Sequence, residues 1–111
     1  MTDTETLAAA RERVATLSSR LTANQLRQGQ VAQALHVARE AAASRLVLDD
    51  VLDVEPVERL EAQSRKLRAA SAILERAVAI AQRNVTEAEL ADRITQARSA
   101  PRQEKTNANN R

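Results

Sequence analysis

The chain has 111 residues, which allows one small domain and argues against a second folded module. It has no Phe, Trp, Tyr or Cys, one Gly and two Pro, so it lacks the aromatic strand formers and turn residues of a sheet, and a disulfide framework or thiolate metal site is excluded. The net charge is +2, yet Arg outnumbers Lys 15 to two, a bias that suits phosphate or carboxylate binding and that a GC-rich genome also produces.

The apolar content is 23 Ala, 12 Leu, nine Val, three Ile and one Met, which is material for helix packing, and the polar positions favour Arg, Gln and Glu. No apolar run approaches the roughly 18 residues of a membrane span. Residues 1–5 are polar and acidic and do not read as a secretory signal. A cytoplasmic protein with no membrane partner is expected, and the expected fold class is all-α.

The first predicted element is a long helix over about 4–52. Leu7, Val14, Leu21, Gln28, Leu35 and Ala42 recur every seven residues, and Ala10, Leu17, Asn24, Val31 and Ala38 fall three residues after each of the first five. This is a heptad seam held in register for five repeats. Thr4 is placed to cap its start. Asn24, Gln25, Gln28, Gly29 and Gln30 are a weak point, where Gly costs a helix about 1 kcal/mol relative to Ala. The register passes through them without a slip, so the helix is read as continuous.

Asp53, Val54 and Glu55 form the predicted turn (53–55), and Pro56, which cannot sit in a helix interior, suits the first turn of a second helix over about 56–84. Its seam is Leu60, Leu67, Leu74, Ala81 and Ala88, flanked by Val57, Ser64, Ser71, Val78 and Val85. Thr86 and Glu89 have the spacing of a capping box, which predicts a further short helix over about 87–98, with one uninterrupted helix as the alternative. Residues 99–111 are polar, contain Pro101 and lack periodicity, and are expected to form a disordered basic tail. The organisation over 1–98 is a coiled-coil-like antiparallel helical hairpin.

Folding at 53–55 brings position i opposite about position 107 minus i, which sets Asn24 near Arg83 and Asn84, and Gln28 near Ala79 and Gln82. Asn24, Gln28, Gln82 and Asn84 would then form a polar layer that fixes register or oligomer state. Ile73 and Ile80 lie beside Leu74 and Ala81, so the apolar face of the second helix is wider than one partner helix covers. Leu60, Leu67, Ile73, Leu74, Val78 and Ile80 are the candidate surface for a second copy or another helical protein, and a bundle of hairpins is the expected assembly. Alanines such as Ala34, Ala38, Ala41, Ala42, Ala69, Ala70 and Ala77 would allow close helix approach.

Charge falls in blocks. Residues 49–61 carry Asp49, Asp50, Asp53, Glu55, Glu58 and Glu61 against Arg59, an acidic tip beside a basic middle. Arg13, Arg20 and Arg27 recur every seven residues, and with Arg102 and Lys105 of the tail they are the candidate phosphate contacts.

No catalytic, metal or cofactor constellation is present. The sole histidine, His36, falls beside the seam with no relay partner. Asp49 and Asp53 are one turn apart but lack calcium-loop spacing, and there is no glycine-rich nucleotide loop. The architecture resembles plasmid RNA-binding hairpins that dimerise into four-helix bundles, and the oligomerisation hairpins of phage terminase small subunits. That resemblance implies a phage or plasmid protein, although the N-terminal DNA-binding domain usual in the latter is missing. Secreted WXG hairpins require a Trp-x-Gly turn, where this chain reads Leu52-Asp53-Val54-Glu55-Pro56. The function expected is a non-enzymatic helical interaction protein, an assembly or adaptor module, with a nucleic-acid-binding helical oligomer as the alternative.

Overall fold

The structure, a computed structural model, describes residues 6–109, with side chains described over 6–98. It is an antiparallel helical hairpin of α1, Leu7–Asp49, and α2, Glu55–Asn109, with no strand among the described residues.

Local chemistry sets each helix end. Position Thr4 lies outside the described residues; the cap is Thr6, whose Oγ1 accepts the Ala9 N–H at 3.1 Å and whose carbonyl accepts the Ala10 N–H at 2.9 Å. A hydroxyl there satisfies one of the N–H groups that a helix start leaves without an internal acceptor.

Helix α1 stops at Asp49, three residues before the predicted Leu52. Asp50 has φ 55, and its N–H donates to the Leu46 carbonyl at 3.0 Å. This is the left-handed C-terminal cap usually made by Gly, adopted here by Asp, which tolerates that conformation better than most residues. The link is therefore 50–54 and not 53–55. At its far end Asp53 Oδ1 accepts the Glu55 N–H at 3.2 Å, and the Glu58 N–H reaches the Val54 carbonyl at 2.9 Å. Pro56 sits in the first turn, where a missing N–H costs nothing.

Both predicted weak points inside helices are continuous. Thr86 does not start a third helix, which corrects the boundary expected at 84–87. Its hydroxyl donates back to the Gln82 carbonyl at 3.2 Å, the bond a Thr makes inside a helix in place of capping a new one. Thr95 makes the same bond to Ala91 at 3.0 Å. The α2 backbone continues past Ser99, where a disordered tail is expected, through helix formers such as Gln103, Glu104 and Lys105. The side chains of 99–111, with Arg102 and Lys105, lie outside those described.

By their contacts the residues group into two compact units, Leu17–Ala77, and Met1–Thr16 with Val78–Arg111. In the first, Val31, Leu35 and Ser71 are buried, and Leu17, Leu21, Ala38, Ala42, Val57, Leu60, Ser64, Leu67 and Leu74 are half-buried. In the second, Ala10 and Ala81 are buried, and Leu7, Val14, Val78, Val85 and Ala88 are half-buried. Every heptad position read from the spacing is thus at least partly covered. Ala70, Ala77 and Asn84 are covered too, so the seam of α2 widens toward the flank that carries Ile73 and Ile80, which lie just beyond its edge.

Cross-helix ion pairs mark the register. In unit 17–77, Arg39 meets Glu61 at 2.9 Å and Arg45 meets Asp53 at 3.8 Å, partners whose numbers add to 100 and 98. The pairing of i with 107 minus i is therefore too high by seven to nine. Asn24 stands level with about Leu74 to Arg76, and Gln28 with about Ala70 to Ala72. The early stop of α1 at Asp49 moves the fold point back along the chain and lowers the register.

A Cβ added at Gly29 meets nothing within 4 Å, and its φ lies outside the left-handed range. Gly29→Ala should therefore stabilise the fold by about 0.5–1 kcal/mol by restricting the unfolded chain. A melting curve followed by far-UV circular dichroism checks this, and an unchanged or lower Tm would contradict it.

Candidate interaction surfaces

The six apolar residues predicted as a partner surface separate into two groups. Leu60, Leu67, Leu74 and Val78 are half-buried within the single chain, since they belong to its own seam. Ile73 and Ile80 are left 70% and 42% exposed. They are seven residues apart on α2, two helical turns, and so lie along one stripe.

Of the predicted polar layer, Asn24 and Gln28 are half-buried and bonded to each other along α1, with Gln28 Nε2 donating to Asn24 Oδ1 at 2.7 Å. Side chains four apart on a helix are neighbours, so each amide finds a partner without crossing the hairpin. Asn84 is half-buried and Gln82 exposed. The lower register removes the predicted pairing of Gln28 with Gln82: in place of an amide, Gln28 stands level with Ala70 to Ala72. The alanine row divides likewise, with Ala38, Ala42, Ala70 and Ala77 half-buried and Ala34, Ala41 and Ala69 exposed.

Arg13, Arg20 and Arg27 are all exposed along α1. Arg13 borders a shallow depression with Ala9, Glu12 and Thr16, formed by one face of that helix. His36 is exposed, and no cluster of metal-ligating side chains occurs among the described residues. No helix is long and apolar enough to cross a membrane, among the described residues.

Arginines reach part of the acidic tip. Asp53 takes Arg45, Glu61 takes Arg39, and Glu55 takes Arg59 at 3.0 Å along α2. Asp49, Asp50 and Glu58 are exposed and have no ion pair among the described residues. In the other unit Arg11 meets Glu89 at 3.3 Å.

The periodicity did not reveal a second feature of the tip. Leu46, Val47, Leu48, Val51, Leu52 and Val54 are all exposed, with Val47 and Leu48 at 82% and 80%. Three consecutive residues on a helix point to different faces, so a run such as 46–48 cannot all enter one seam. The departure of these aliphatics from the heptad, inside an acidic block, was the available signal.

Compared with models of protein families, with curated proteins and with solved structures, the chain finds no match.

The cross-helix ion pairs are solvated, and pairs of this kind contribute little. Arg39→Ala should lower unfolding stability by no more than about 1 kcal/mol, with the difference shrinking in high salt. Urea unfolding at two salt concentrations measures it. A larger, salt-independent loss would assign Arg39 a packing role.

Proposed function

We propose that this chain is a non-enzymatic helical assembly or adaptor protein that self-associates through helix pairing. The observation that carries the reading is the exposure of Ile73 and Ile80 on one stripe of α2, next to a thin core. Among the described residues the buried apolar side chains are Ala10, Val31, Leu35 and Ala81, with no large side chain fully buried. A two-helix unit of this kind gains stability by covering its remaining apolar surface with another helix. Leu60, Leu67, Leu74 and Val78 have surface left over from the seam, and they would border the contact. A second copy is the simplest partner; another helical protein presenting an apolar stripe would serve the same surface. Cytoplasmic residence belongs to the same proposal.

Light scattering coupled to size exclusion tests it. The wild-type chain should elute as a dimer or larger species, and Ile73→Asp combined with Ile80→Asp should reduce it to monomer. Circular dichroism of the variant checks that the helices persist. A variant that keeps the native mass would remove Ile73 and Ile80 from the interface, and a wild-type monomer would overturn self-association altogether.

A second reading, a nucleic-acid-binding helical oligomer such as a phage DNA-packaging or RNA-binding bundle protein, has one observation in its favour. Arg20 and Arg27 are exposed on a common stripe of α1 and have no ion pair among the described residues. Binding through them would weaken steeply with salt, by roughly one power of salt concentration for each phosphate neutralised. Retention of a mixed DNA and RNA pool at low salt, lost in Arg20→Ala with Arg27→Ala, is the outcome this reading requires; no retention at low salt would exclude it.

A further inference from the structure

Resting on the self-association reading, we propose that the acidic, apolar hairpin tip of one copy docks on the basic, apolar outer stripe of α2 of a second copy. The tip and the stripe both belong to the unit Leu17–Ala77.

The tip combines two features. Val47, Leu48 and Leu52 are largely exposed, with Leu46, Val51 and Val54 partly so, which makes it the densest group of exposed large aliphatics among the described residues. Asp49, Asp50 and Glu58 border them without an ion pair among the described residues. The neighbouring Asp53, Glu55 and Glu61 already hold guanidinium groups at 2.9 to 3.8 Å, so arginine is a partner these carboxylates accept.

The matching chemistry lies on α2. Lys66, Ala69, Ile73 and Arg76 are spaced by three, four and three residues, which puts them on one helix face, with Arg65 at its edge. All five are exposed, and none of the cations among them has an ion pair in the described residues. An isoleucine among three cations is complementary to aliphatics among three carboxylates. Such pairing steers encounter and fixes orientation, while the apolar contact supplies most of the affinity.

Other occupants fit less well. Two tips would bring like charges together. Anionic lipid would be repelled by the carboxylates, and the basic segment 99–111 has only two alanines and Pro101 as apolar side chains. A tip meeting a different surface of the next copy is a heterologous contact, which propagates from copy to copy unless its rotation closes a ring. The mass should therefore grow with concentration and fall with salt.

Charge exchange tests the proposal on the full-length chain. The tip variant carries Asp49→Lys, Asp50→Asn and Glu58→Lys, with Asn retaining tolerance of the left-handed backbone. The stripe variant carries Arg65→Glu, Lys66→Glu and Arg76→Glu. Each alone should lose concentration-dependent association in light scattering while remaining helical, and an equimolar mixture should recover it, because the changed tip then meets the changed stripe. A pair of uncharged changes, Val47→Ser and Leu48→Ser, should raise the dissociation constant about tenfold or more.

If the tip variant keeps the wild-type mass while Ile73→Asp with Ile80→Asp loses it, self-association stands and the tip is not its mate. A mixture that fails to recover association also overturns the docking. A wild-type chain that is monomeric throughout overturns both readings, and its sedimentation with phosphatidylcholine vesicles would assign the tip to lipid.

Discussion

The seam between α1 and α2 is the constraint on which the rest of the molecule depends. Side chains seven residues apart on each helix meet along a narrow stripe, and that stripe supplies nearly all the burial a hairpin of this kind has. Its members are small: Ala10, Ala81 and Ser71 stand among its most covered positions, beside Val31 and Leu35. Small side chains bring helix backbones close but bury little area apiece, so the core within each unit is thin.

That thinness determines what is left outside. A heptad stripe engages about two positions in seven, and this chain places aliphatics well beyond them, at Ile73 and Ile80 on α2 and from Leu46 to Val54 around the tip. Scattered exposed aliphatics are ordinary on a protein surface, but grouped ones rimmed by charge are characteristic of contact surfaces. The two groups here differ in the sign of their rims, carboxylates at the tip and guanidinium and ammonium groups on α2. That difference is the ground of the proposed docking of one surface on the other.

The ends of the helices are set by single side chains. Thr6 caps α1, Asp50 closes it in a left-handed conformation, and Asp53 and Pro56 open α2. At Asp50 a glycine would relieve backbone strain, and the carboxylate instead adds to the acidic rim. Inside the helices, amide and hydroxyl groups that could have interrupted them bond within the same helix. Asn24 with Gln28, Thr86 with the Gln82 carbonyl and Thr95 with the Ala91 carbonyl are examples. These bonds occupy the groups locally and leave the helices unbroken.

The all-α class, the two seams, the continuity through Gly29 and a link near Pro56 were determined by the sequence itself, because apolar periodicity and proline stereochemistry are local properties. Tertiary structure decided the register, which turns on where α1 stops and hence on whether Asp50 takes a left-handed conformation that no spacing rule predicts. It also decided the fate of Thr86, since a capping box and an internal back-bond use the same residue type and differ only in whether the helix continues. The exposure of Val47 and Leu48 belongs with these, whereas that of Ile73 and Ile80 was legible as an apolar face wider than one partner helix covers: how a bare run of aliphatics near a link is packed is decided between helices, not along one.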